Sequence, residues 1–241
     1  MLSLMHRSGN CDLIGLGDEV MRAIQKQVWC SLEKKTARSE TIIDCYRKLF
    51  GAASLPRRKQ YWTMCGDLSD GRGNQNQDSE LNQIVRDGLI NPKQFHGVEL
   101  NEEIYNRSKL VHPEVNLYNN EFGKQLNQSS EQSGFNPGIV NADLIYMSKK
   151  GAKLAANILN LLHEIKTKNV MVICNIMLNN PYHFSSNSNI DDPCGFYKDL
   201  KSQPEWYFCQ NHWKIHEEFY IYPGNGEDSN TIMCSHIFYN N

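Results

Sequence analysis

The chain has 241 residues, of which 40% are hydrophobic and 22% charged, and its formal net charge is −2. That length suits one large α/β domain with a short extension rather than two full domains, and the slightly acidic balance gives no chain-wide basic surface for a phosphate backbone. No run approaches the roughly 20 apolar residues of a membrane span, and residues 1–15 lack the apolar core and small-residue cleavage site of a secretory leader.

In chain order, residues 17–34 read as a helix, with Val20, Ile24, Val28 and Trp29 at helical spacing. A second helix is expected over 39–50, where Ser39 is placed to cap it and Gly51 to end it. Pro56-Arg57-Arg58-Lys59 is a linker, so residues 1–59 are expected to be a helical N-terminal extension to an α/β domain over 60–241. The segment 61–66 is short, aromatic and β-branched, and reads as a strand running into a loop over 67–78. A helix is expected over 79–89, a strand over 95–100, a helix over 102–110 capped by Asn101, and a strand over 115–118. Residues 123–137, rich in Gln, Ser and Asn, read as a loop. A strand over 138–147, an amphipathic helix over 151–167 and a nearly all-apolar strand over 169–178 follow, the last with the pattern of a strand buried on both faces. After a polar loop over 179–193 and a short helix near 195–201, the segments 205–209, 213–222 and 231–239 read as β, the last two as a hairpin. The alternating order predicts a doubly wound, mostly parallel sheet with helices on both faces and an antiparallel pair at one edge.

The eight cysteines form no CxxC pair and none stands at zinc-ligand spacing with His. They read as buried, reduced thiols, which implies a cytoplasmic protein. His212 and His216 flank Trp213 without an acidic or Cys partner at matching spacing, so no metal is expected and the pair reads as solvent-facing strand residues. Arg57-Arg58-Lys59, with Lys34, Lys35 and Arg38, reads as a solvated face, with nucleic-acid contact as the other reading. The aromatics Trp206, Tyr207, Phe208, Trp213, Phe219, Tyr220 and Tyr222 read as core and cross-strand packing, with base stacking as the other reading.

The element order with its closing hairpin resembles the class I (Rossmann-like) S-adenosylmethionine-dependent methyltransferase superfamily over roughly residues 60–241. The local features that carry it are Trp62-Thr63-Met64-Cys65-Gly66-Asp67, Gly97-Val98-Glu99-Leu100-Asn101, Asn120-Glu121-Phe122 and Asn141-Ala142-Asp143-Leu144-Ile145-Tyr146. In that family the loop after the first strand carries closely spaced glycines; here they are irregular, Gly66 and then Gly71 and Gly73. The resemblance implies an enzyme that binds S-adenosylmethionine across the carboxyl ends of its first three strands. It implies that Cys65, Gly66, Asp67, Gly71 and Gly73 approach the methionine part, that Glu99 beside Leu100 accepts hydrogen bonds from both ribose hydroxyls, and that Asn120, Glu121 and Phe122 bound the adenine. Tyr146, Tyr182 and His183 are placed on the substrate side. Asp143, read as lying at the start of its strand, is given no chemistry. DNA amino-methyltransferases carry Asn/Asp-Pro-Pro-Tyr/Phe at the end of the fourth strand; with that strand read to 147, this chain has Tyr146-Met147-Ser148-Lys149 there, and Asn179-Asn180-Pro181-Tyr182 follows the next strand as a loop turn. The acceptor is open among small molecules, nucleic acid and protein. The degenerate glycine loop supports the alternative of a catalytically inactive methyltransferase-like binding or scaffolding module.

Overall fold

A computed structural model describes residues 5–8, 38–70, 73–144, 148–177, 193–216, 218–223 and 232–241. The helix expected over 17–34, Lys34, Lys35, Gly71, Tyr146, Tyr182 and His183 lie outside them.

The strands are β1 (Met5–Ser8), β2 (Gln60–Met64), β3 (Phe95–Glu99), β4 (Asn116–Asn119), β5 (Pro137–Leu144), β6 (Val170–Met177), β7 (Lys214–Ile215), β8 (Glu218–Pro223) and β9 (Ile232–Asn240). They form one sheet in the order β1-β8-β9-β6-β5-β2-β3-β4, with β7 also on β9. β2 to β6 run parallel. β9 lies antiparallel on β6 and β8 antiparallel on β9, the expected hairpin. β1 closes the edge antiparallel to β8, so the stretch 1–59 is not helical throughout.

The helices are α1 (Cys45–Phe50), entered through a π-helical turn over Ser39–Asp44, α2 (Glu80–Arg86), α3 (Glu102–Val111), α4 (Phe122–Ser130), α5 (Ser148–Glu164), α6 (Pro193–Lys201) and α7 (Pro204–Cys209). Capping sets where several of them start. Ser79 accepts from the Asn82 N–H at the head of α2, and Asn101 accepts from the N–H groups of Glu103 and Ile104 at the head of α3, filling donors that the first helical turn leaves open. Gly51, in the left-handed region at φ 62°, ends α1. Ser39 does not cap that helix; its hydroxyl accepts instead from the Gln83 amide of α2 at 3.0 Å.

Two segments depart from their sequence reading. Residues 122–130 are helical rather than a loop, because Phe122, Gln125, Leu126 and Ser129 recur at helical spacing and are all buried. Gln125 donates to Ser129 one turn on, so the buried polar pair satisfies itself. Residues 204–209 are a helix rather than a strand. Pro204 stands in its first turn, and Trp206 and Cys209, three apart, are buried while Tyr207 and Phe208 face solvent. Helical spacing there overrides the β preference of three consecutive aromatics.

The core has two halves, one on each face of the sheet. α4 to α7 cover Trp62, Val98, Val140, Leu144, Val172, Ile176 and Phe238. The π-helical turn and α1 to α3 cover Tyr61, Phe95, Ile139, Met171, Ile173 and Ile237. Ile42, Ile43, Cys45, Tyr46 and Leu55 belong to the second half, so residues 39–55 complete the α/β core rather than hang from it.

Candidate functional site

The carboxyl ends of β2, β3 and β5, together with α4 and α5, surround a cavity of about 840 Å³. It is lined by Met64, Gly66, Val98, Glu99, Leu100, Asn120, Glu121, Phe122, Gly123, Lys124, Leu126, Asn127, Asp143, Leu154, Asn157, Ile158 and Leu161. Of the residues singled out from sequence, Gly66, Glu99, Leu100, Asn120, Glu121 and Phe122 meet on this one cavity. Cys65 and Asp67 flank Gly66 without lining it, and Gly73 stands farther along the loop.

The loop after β2 is built from the chain outward. Cys65 continues the pairing through its N–H to the Val98 carbonyl at 3.2 Å. Gly66 then turns the backbone at φ 58°, a conformation that costs a residue with a Cβ. Asp67 accepts from the Ser69 N–H at 2.9 Å and the Ser69 hydroxyl at 2.7 Å, and receives Arg107 of α3 at 2.7 Å. Burial alone raises the Asp67 carboxyl, but the bonds from Ser69 and Arg107 outweigh it and hold the group below its usual range. Leu68 is fully buried and donates its N–H to Ser108 of α3. Asp70 folds onto Asn74, which donates both its backbone N–H and its side-chain amide. Polar side chains thus shape this loop.

Glu99 ends β3. One carboxylate oxygen accepts from the Asn101 N–H at 2.8 Å, which aims the group at the cavity. Asn119, the last residue of β4, donates to the carbonyls of Glu99 and Leu100 and locks the two strand ends together. Asn120 donates to Gln125 and Gln128 of α4, and its oxygen accepts from Glu121. Glu121 stands at the N-terminus of α4, where the helix dipole favours a negative charge. The Cys65 thiol is pushed far up by burial and then by the Glu99 and Glu80 charges, so it stays protonated at neutral pH and is no nucleophile.

Asp143 is a correction. Asp143, on β5 (Pro137–Leu144), lines the cavity at the carboxyl end of the strand. The sequence reading set it at the start of a strand over 138–147, away from the cofactor, and gave it no chemistry. Asp143 is the register partner of Asn175 on β6.

The other groups raised from sequence go elsewhere. His212 belongs to a 3-10 turn rather than a strand, and its ring packs on His163 and Trp213. Among the described residues no group of three or more His, Cys, Asp or Glu could hold a metal ion. Trp206 and Trp213 are core, whereas Tyr207 and Phe208 are 72% and 71% exposed. Arg38 leaves the basic run and donates to the Asp78 carbonyl at 2.7 Å, close to Glu80.

No family model matches the sequence, and no curated protein matches it. Solved structures do resemble the fold. Protein LPL1258 from Legionella pneumophila is 12% identical, with 86% of this chain and 85% of that chain covered at a TM-score of 0.50. The fold is a Rossmann-like, mostly parallel α/β sheet with an antiparallel C-terminal hairpin. The plantazolicin methyltransferase BpumL, solved with SAH and a triazolic desmethylPZN analog, is 10% identical, with 92% and 90% covered at a TM-score of 0.49. TrmN from Thermus thermophilus is 10% identical at a TM-score of 0.48; 83% of this chain aligns, and the chain spans 48% of the length of TrmN.

Proposed function

We propose that this chain is an S-adenosylmethionine-dependent methyltransferase whose cofactor occupies the cavity at the strand ends. The observation that carries the reading is the convergence of Gly66, Glu99, Glu121 and Asp143, from four separate strand ends, on one recess. The cavity falls within the roughly 300–1,000 Å³ typical of small-molecule sites. Its charged lining is Glu99, Glu121 and Asp143 against Lys124, a donor set suited to a cationic sulfonium ligand.

Bound there, the cofactor supplies an electrophilic methyl group on its sulfonium. The chain supplies positioning. The Glu99 carboxylate, with two acceptor oxygens, takes the ribose diol. Gly66, with Cys65 and Asp67 beside it and Gly71 and Gly73 farther along, lets main chain approach the methionine part. Leu100 and Phe122 flank the flat base, and Asn120 and Glu121 meet its edge. Asp143 stands on the acceptor side and accepts a hydrogen bond from an acceptor N–H or O–H, which holds its lone pair in line with the methyl group. Within this reading the chain works in the cytoplasm. The free thiols of Cys45, Cys65, Cys174, Cys209 and Cys234 support a reducing compartment, and no helix among the described residues is long and apolar enough to cross a membrane.

Calorimetric titration with S-adenosylmethionine and S-adenosylhomocysteine tests it. Micromolar binding that Glu99→Ala weakens by ~1–3 kcal/mol, the cost of stranding buried polar partners, is the expected result. Absence of binding in both wild type and variant overturns the reading and leaves a methyltransferase-like scaffold.

A further inference from the structure

The opposite ends of the parallel strands carry a second feature. The connections that enter β2 to β6 there bring Arg57, Arg58, Lys59, Lys93, Lys166 and Lys168 to one face, and the carboxylates in the same set of connections are Asp87, Glu114 and Glu131. Hydrogen bonds stitch these connections together. Gln94 donates to the carbonyls of Pro56 and Lys59, and Asn136 donates to the carbonyl of Arg58. The Lys59 ammonium donates to the carbonyls of Pro137 at 3.2 Å and Lys168 at 2.6 Å. Arg57, Arg58, Lys93, Lys166 and Lys168 are exposed around it. Between them lies a recess of about 430 Å³ whose lining includes Lys59, Phe135, Asn136, Lys166, Lys168 and Asn169.

Cations gather at helix C-termini because the helix dipole favours them, but only within about one turn of the end. That covers Lys166, just past the end of α5 at Glu164. It does not cover Arg57 and Arg58, well beyond the end of α1 at Phe50, or Lys93, beyond the end of α2 at Arg86. An ammonium has three donors, and two of those on Lys59 go to carbonyls. The most exposed large apolar side chains among the described residues, Leu100, Leu110, Tyr207 and Phe208, belong to other parts of the surface; here Phe135 and Ile165 line the recess half-buried, and the exposed rim is cationic.

We propose that the recess and its basic rim dock the phosphate backbone of a single-stranded nucleic acid. The face lies one strand length, ~16 Å for a five-residue strand, from the cavity at the other end of the sheet. It is a docking surface rather than the acceptor entrance, and it stands whether or not the chain transfers methyl groups.

The test is fluorescence anisotropy of a labelled 12-nucleotide single strand titrated with the full chain between 50 and 200 mM salt. Each neutralised phosphate adds ~0.7 to the slope of log affinity against log salt, so four contacts weaken binding about 50-fold over that range. The triple variant Arg58→Glu, Lys166→Glu, Lys168→Glu is expected to lose at least tenfold at 50 mM salt and to flatten the slope, with its thermal midpoint within a few degrees of wild type. Wild-type binding that is absent at 50 mM salt, or equal affinity in a folded variant, overturns the proposal. So does retention on phosphatidylserine vesicles without oligonucleotide binding, which assigns the face to a membrane surface. None of these readouts depends on cofactor, so a failed cofactor titration leaves this test intact.

Discussion

Toward α4–α7, strands β5, β6 and β9 present Val140, Ala142, Leu144, Val172, Cys174, Ile176, Cys234 and Phe238, apolar and buried, with the His236 ring stacked among them on Phe196. Toward α1–α3 the same strands present Ile139, Ile173 and Ile237, but also Asn141, Asn175 and Ser235. These polar groups form one buried chain. Tyr61 and Asn141 donate to the two oxygens of Glu80, Asn175 donates to Asn141, and Ser235 donates to Asn175. The first face is held by volume and tolerates swaps that conserve it. The second is held by directed bonds that fix register: a slip of one residue turns Asn141 and Asn175 into the apolar half of the core.

The comparison is broken most severely from the apolar side. Trp62 stacks on His96 and Tyr118 at 4.5 and 5.4 Å, and Trp62→Ala is expected to cost ~3–5 kcal/mol in urea unfolding through the cavity it leaves. A loss under 1 kcal/mol means that this half of the core closes up freely. On the polar side, Asn175→Ala strands the Asn141 oxygen and the Ser235 hydroxyl, at ~1–3 kcal/mol for each buried group. The double variant with Asn141→Ala should then cost less than the two single losses added together, because the residues share a bond. Strict additivity dissolves the chain into separate contacts. The mildest effect is one of pH. His96, a polar residue buried on the apolar face, has its pKa lowered to about 4 by burial. The unfolded chain takes up that proton near pH 6.5 and the folded chain does not, so the stability is complete above 6.5 and lost as pH falls toward 4, by ~2 kcal/mol at pH 5. In His96→Phe the decline in thermal midpoint between pH 7 and 5 should shrink; an unchanged decline places its origin elsewhere, burial also lowering His236, to about 3, and His212.

Much of the parallel sheet was legible because its strands are apolar runs between clear breakers such as Asn91-Pro92 before β3, and the Asn101 cap sits where sequence placed it. α4 was not legible, since its buried face is half amide and hydroxyl, Gln125 and Ser129, which read as a loop. α7 was misread because Trp206-Tyr207-Phe208 carries strand preference, and only the burial of Trp206 and Cys209 shows the helical period. At the site, the acid at the end of β3 stood out through the Glu99-Leu100-Asn101 boundary. Asp143 did not, because the apolar run over 138–147 set it toward the start of its strand, away from the cavity that it lines. The polar chain from Glu80 to Ser235 joins four elements distant in sequence, and no local spacing encodes it.

α3 has a further consequence as a strut. It begins at Asn101, whose N–H grips Glu99, and within about two turns its Arg107 grips Asp67 next to Gly66. Arg107 is braced in turn by Glu103 at 2.7 Å. One rigid rod therefore sets the span between the acid that ends β3 and the loop that follows β2. A ligand that reaches from Glu99 to Gly66 meets a gap whose width this helix has already set.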